Sequence, residues 1–175
     1  MIVASTYTNA PYNILKNFEE IVKKLSRKYP IKRSFLPSGS CYMNVDNIHI
    51  HGYFNYNIYE TILKSTKLPR KTIRRLYGYK LDKIAKEITE VDVFLSAEKE
   101  EYQCLMYLVA LSLIAPHLQI NIYEYSQNLQ KTIENNVTVI PTIILRMPNK
   151  NIYILGDMSF ESFIENYKLE KLSPF

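Results

Sequence analysis

The sequence predicts an α/β protein in which a mixed sheet is flanked by helices. Apolar residues spaced by three and four alternate along the chain with short runs rich in Ile, Val, Tyr and Phe. Hydrophobic residues make up 47% of the 175-residue chain and glycines number only four, so the composition supports a core and argues against long linkers. Residues 90–170 read in order as strand, helix, strand, helix, strand, strand, helix.

The elements follow one by one. Ile2 to Thr6 is short and β-prone. In Tyr12 to Lys28, Ile14, Leu15, Phe18, Ile21, Val22 and Leu25 describe one helix face, and Pro30 stops it. Lys23, Lys24, Arg27 and Lys28 sit near its C-terminus, where the dipole favours cations. Ile31 to Phe35 reads as a strand, followed by the turn residues Leu36-Pro-Ser-Gly-Ser40. Cys41 to Val45 and Ile48 to Phe54 flank Asp46-Asn47 as a hairpin. Tyr56 to Lys64 is a short helix, and residues 66–89 read as a basic helical connector broken near Gly78. That places one unit at 1–65 and another at 90–175. In the second, Val91 to Ser96 is a strand and Glu98 to Ala115 a long helix, acidic at its start and apolar afterwards. Leu118 to Tyr125 alternates as a strand does. Asn128 to Asn135 is a short helix, Val139 to Leu145 and Ile152 to Leu155 are strands, and Ser159 caps a last helix over Phe160 to Lys168.

Composition narrows the function classes. No apolar run approaches the roughly 18 residues of a membrane span. No basic-then-apolar leader is visible at the N-terminus, so the expected location is the cytoplasm. Cys41 and Cys104 are far apart in sequence and make up no metal or disulfide framework, although the two could approach in space, and no cofactor motif is present. Residues 1–88 hold 16 Lys/Arg against 6 Asp/Glu, while residues 89–175 hold 6 against 11. The first half therefore carries a positive field.

Within the second unit, Val137-Thr-Val-Ile-Pro-Thr-Ile-Ile-Leu145 places a hydrophobic-Pro-Thr step after a short helix and ahead of a strand. Asn149 to Asn151, Gly156 and Ser159 then mark a hairpin, a glycine and a final helix. This order and these residues resemble the thioredoxin family over some 80 residues. The resemblance implies a cis peptide before Pro141. It also implies that Ile140 offers its backbone to an extended peptide, with Ala97 to Tyr102 as the opposite lip. The family's two thiols, spaced C-x-x-C, belong between the first strand and its helix, where the helix N-terminus lowers a thiol pKa. Here that segment is VFLSAEKEEYQC, with Lys99 and Tyr102 at the thiol positions and Cys104 further into the helix. Glu98, Glu100 and Glu101 would disfavour a thiolate nearby. The first half carries a fainter copy. Val3 to Pro11 resembles the strand-to-helix segment with Tyr7 and Ala10 in place of thiols, and the 41–63 segment resembles the terminal hairpin, Gly52 and helix. Two such units resemble the archaeal protein disulfide oxidoreductases, with the first unit abbreviated because Phe35 to Cys41 is too short for a crossover helix.

The candidate sites follow. Ala97, Lys99, Tyr102, Ile140, Pro141 and Thr142 form a candidate peptide groove. Lys64, Lys67, Arg70, Lys71, Arg74, Arg75, Lys80 and Lys83 form a basic patch, with Tyr77 and Tyr79 available for stacking on a nucleic acid. A solvated helix surface explains the same composition. Cys41 and Cys104 are candidate lone thiols, although a lone cysteine among aromatics is more often a small buried hydrophobe. His49 and His51 share a strand face, but a metal needs further ligands; Asp46 is the nearest and His117 is remote, so no metal site is assigned. The expected protein is a non-enzymatic thioredoxin-like binding protein that docks to a protein or ribonucleoprotein assembly, with a homodimer as one state open to it. A redox protein using one cysteine and a nucleic-acid binder using residues 64–86 are the competing readings.

Overall fold

The strands of the two halves form one sheet rather than two. The computed structural model describes residues 1–7, 11–36 and 41–172, and of Tyr7, Phe35 and Leu36 the backbone alone. In chain order the elements are β1 (Ile2–Tyr7), α1 (Tyr12–Ser26), β2 (Ile31–Leu36), β3 (Tyr42–Val45), β4 (Ile48–His51), α2 (Tyr56–Ser65) and α3 (Arg70–Glu87). Then come β5 (Glu90–Leu95), α4 (Cys104–Ile114), β6 (Gln119–Glu124), α5 (Leu129–Glu134), β7 (Thr142–Arg146), β8 (Asn151–Leu155) and α6 (Phe160–Leu172). Ala10 and residues 37–40, which include most of the expected turn after β2, lie outside the described residues. No helix among the described residues is long and apolar enough to cross a membrane.

The strand order is β2-β1-β3-β4-β6-β5-β7-β8, and it contains one pattern twice. In the first half β1 pairs in parallel with β2 and antiparallel with β3, and β4 closes the hairpin. In the second half β5 stands in the same relation to β6 and β7, and β8 closes the hairpin. A helix follows each hairpin, and α5 is the extra element of the second half. The halves join where β4 and β6 run parallel, with Ile48 opposite Ile120 and Ile50 opposite Ile122.

Strand alternation divides the sheet into two unlike faces. Met43, Val45, Ile48, Ile50, Val91, Val93, Ile120, Ile122, Ile143 and Leu145 all lie in one continuous core. α1, α2, α3, α4 and α6 bury their apolar residues in that same core. α4 lies between α2 and α3, which is why eight of its 11 residues are buried and it has no polar stripe. The expected connector is α3, which packs Ile73, Leu81, Ile84 and Ala85 into the core. Its helix is broken at Gly78 by φ 60° and ψ −158°, backbone that glycine adopts without strain. The opposite face carries only a small cluster, Phe94, Tyr123 and Ile144, covered by Val137 and Ile140.

One boundary differs from the sequence reading. The long helix expected from Glu98 begins at Cys104. Residues 97–103 are held instead by bonds to distant parts of the chain. Ala97 N–H donates to Glu124 Oε1 (3.3 Å), and the Lys99 carbonyl accepts from Asn55 Nδ2 (2.8 Å). The acidic residues 98, 100 and 101 thus precede the helix rather than opening it.

The seam admits a direct test. Ile122→Ala is expected to lower the unfolding free energy by about 2–5 kcal/mol, because it empties a core position at the β4–β6 junction. Urea unfolding followed by far-UV circular dichroism and by tyrosine fluorescence should still give one coincident transition. Gly52→Ala is expected to cost more than about 1 kcal/mol. Gly52 has φ 109°, and an added Cβ would lie 2.7 Å from the Cβ of Glu124.

Candidate functional site

A groove of about 620 Å³ runs between the loop after β5 and the segment before β7. Ser96, Glu98, Lys99 and Tyr102 line one side, Thr138, Ile140 and Pro141 the other, with Tyr125 at the end. The Ile140–Pro141 peptide is cis. Pro141 C=O accepts the Gly156 N–H (2.8 Å), which fixes the β7 entrance to the β8 exit. Among the described residues, no hydrogen bond engages the Ile140 N–H or C=O. Val139 beside it is exposed, and its carbonyl is taken by the Thr142 hydroxyl (2.6 Å), so the unengaged polar groups here are those of Ile140.

The candidate residues of the opposite lip have work within the chain. The Tyr102 ring is 4% exposed, and its hydroxyl donates to the Ser96 carbonyl (3.0 Å) while accepting the Ser96 N–H (2.9 Å). Tyr102 therefore brackets the loop closed. Lys99 Nζ donates to Asp157 Oδ2 (2.8 Å) and lies 4.7 Å from the Tyr102 ring centroid. The hydrogen bond that Lys99 donates to Asp157 raises the Lys99 pKa. Asp157 Oδ1 also accepts the Cys104 N–H (3.2 Å), and so caps α4 from across the fold; Gln103 in the cap position contributes no side-chain bond. Thr142 is fully buried and donates to the Val139 carbonyl (2.6 Å). It shapes the groove wall without facing it. Ala97 meets the loop anchor Glu124 already described.

Cys104 occupies the first residue of α4 rather than a position inside the helix. Burial nevertheless pushes its pKa well above the thiol range, and the Asp157 charge adds to that. Cys41 is also buried, and burial raises its pKa to about 11. Both thiols are free. Neither is a thiolate near neutral pH, and the thiolate is the nucleophile.

The basic patch divides. Lys64 pairs with Glu60 (3.0 Å), which Lys28 also holds (2.6 Å), and Lys67 lies 4.3 Å from the Tyr29 ring centroid. Arg70, Lys71, Arg74 and Arg75 are exposed before the break at Gly78, whereas Lys80 and Lys83 follow it and face α6.

The opposite sheet face carries a buried polar group that the sequence reading missed. Asp92, 4% exposed, accepts from Arg146 Nε (2.8 Å), from Arg146 Nη2 and from Asn121 Nδ2 (2.9 Å). Asn121 also reaches Glu90 (2.7 Å), and Arg146 reaches Asn135 (2.7 Å). These residues lie on three strands and one helix end, so no sequence spacing could signal them. Beside them His51 stacks on Tyr123 with centroids 4.7 Å apart, and Tyr123 on Phe94 at 5.1 Å. His49 Nδ1 is engaged by the Tyr42 hydroxyl (2.5 Å) and Asn44 (3.2 Å). Among the described residues, no group of three or more His, Cys, Asp or Glu is placed to hold a metal ion.

Solved structures share this fold. Over 94% of its length the chain matches 88% of the alkylhydroperoxide reductase protein AhpF of Enterococcus faecalis, at TM-score 0.63 and 12% identity. It matches Sso1120 of Sulfolobus solfataricus over 85% and 87% of the two chains, at TM-score 0.56 and 12% identity. A protein disulfide oxidoreductase from Aeropyrum pernix matches over 94% and 83%, at TM-score 0.56 and 8% identity. The fold is thioredoxin-like. At these identities the likeness concerns architecture and says nothing of activity. No family model matches the chain, nor does any of the curated proteins.

His51 gives the thioredoxin-like sheet a pH dependence. Burial, and then the neighbouring His49, lower its pKa from 6.5 to about 4. The unfolded chain binds a proton between those values that the folded chain declines, so stability falls as pH drops from 6.5 towards 4. Urea midpoints of the wild type and of His51→Gln, measured from pH 7.5 to 4, should diverge across that window, with the wild type losing more.

Proposed function

We propose that the protein is a non-enzymatic binding protein that receives an extended segment of a partner in the groove beside Pro141. The free backbone of Ile140 is the observation that carries this reading. An extended peptide laid along 138–140 would satisfy that N–H and C=O by strand pairing, and the groove would take alternate side chains. The loop 96–102 supports a standing groove, because Tyr102, Lys99 and Glu124 already hold it in place. The positive first half suits an acidic partner or a ribonucleoprotein assembly.

The likeness in fold to a protein disulfide oxidoreductase invites a redox reading. Two buried, protonated thiols with no C-x-x-C pair weigh against it.

The test is a peptide-library selection on the immobilised protein, followed by amide NMR mapping of a selected peptide. Shifts are expected at residues 96–102 and 138–142. Ile140→Pro, which deletes the N–H, and Thr138→Trp, which fills the groove, should each weaken binding about tenfold or more. The double variant Cys41→Ser/Cys104→Ser should bind as the wild type does. Disulfide reduction by the wild type that this double variant loses would overturn the non-enzymatic reading.

A further inference from the structure

We propose that the gap between α3 and α6 is a binding site for a small phosphorylated ligand with a planar body, of the nucleoside monophosphate class. The gap encloses about 230 Å³ and lies within the helical layer. Its rim holds Lys80 and Lys83 from α3, and Lys168 and Lys171 from α6. Ile84 and Ile164 give it an apolar floor, both drawn from the main core.

The charge arrangement is what asks for a ligand. Each lysine pair is spaced by three on its helix, so both members lie on one helix face and repel. The two faces also oppose each other across the gap. The Glu87 carboxylate pairs with the Lys171 ammonium (2.6 Å) and accepts from the Tyr167 hydroxyl. Lys171, Tyr167 and then Lys83 act together to keep Glu87 below the usual carboxylate range. Among the described residues, no ion pair reaches Lys80, Lys83 or Lys168. Helix dipoles account for Lys86 and Lys171, which occupy the last turns of α3 and α6. They do not account for the other three. The second half, with only six Lys/Arg, places two of them here.

The chemistry of the rim selects the ligand. All four cations are lysines, which act as compact point charges and bind phosphate in that way. The volume exceeds the roughly 150 Å³ of an engineered cavity that takes benzene, so a nucleobase-sized ring can enter while the phosphate stays at the rim. Tyr79, 78% exposed at the mouth, offers a ring for that body to stack on. A ligand bringing both parts uses the floor and the rim together; a bare anion uses the rim alone.

The probes are AMP, adenosine, inorganic pyrophosphate and a short single-stranded oligonucleotide, followed by calorimetry and amide NMR on the full chain at physiological ionic strength. AMP is expected to bind one to one, to shift amides of α3 beyond Gly78 and of α6, and to bind about tenfold tighter than adenosine or pyrophosphate. Lys83→Gln/Lys168→Gln should weaken AMP about tenfold with an unchanged melting temperature. Lys71→Gln, on the same helix before the break, should leave AMP binding unchanged. Equal binding of pyrophosphate and AMP would overturn the proposal, because the rim would then be charge alone. So would no shift with any probe, an unaltered affinity in the double variant, or tighter oligonucleotide binding with shifts spread over Arg70 to Arg75.

Discussion

The parallel pairing of β4 with β6 is the contact on which the rest of the molecule depends. It is short, four residues on the β4 side, and side chains reinforce it at both ends. At one end Asn47, in the β3–β4 turn, donates to the Leu118 carbonyl (2.6 Å) and accepts the Ile120 N–H at its backbone carbonyl (3.0 Å). At the other end Asn128 donates to the His51 carbonyl (3.0 Å), and Gln127 exchanges two bonds with the Tyr53 backbone (2.8 and 3.1 Å). Glu124 closes this end of β6 and is buried, which is tolerable because it accepts from Ala97, Ser126 and Gln127. The glutamate that abuts Gly52 at the seam is therefore the one that anchors the groove lip.

Around the groove, the loop residues are held by static contacts. Lys99 is tied to Asp157, Tyr102 to Ser96, and the Cys104 N–H to Asp157. The donors and acceptors that would otherwise face a substrate are engaged in holding the loop. The backbone just before Pro141 is not engaged in this way, and it leaves the site one recognisable polar edge.

Much of the architecture was legible because its signals are local. Phe18, Ile21, Val22 and Leu25 announce α1, and the polar–apolar alternation of Gln119 to Glu124 announces β6, although five of its six residues are buried rather than half of them. The hydrophobic-Pro-Thr step at 140–142 points to the groove wall only together with its place after a short helix and ahead of a strand. The start of α4 was misread because helix propensity in 98–103 is outweighed by bonds from Asn55, Glu124 and Asp157, each from a different part of the chain. The Asp92–Arg146–Asn121 group and the lysine-rimmed gap were invisible for the same reason. Each assembles side chains from elements that share no sequence period.

Gly52 and β4 also bear on how the chain is made. The first half emerges from synthesis before β6 exists, so β4 must wait as an unpaired edge while α2, α3, β5 and α4 are added. Unpaired edges recruit foreign strands most readily when they are long and apolar. β4 is only four residues, carries His49 and His51 on its uncovered face, and ends in a glycine whose backbone turns away from extended geometry. The seam that unites the finished fold is thus built from a strand poorly suited to aggregate during the wait.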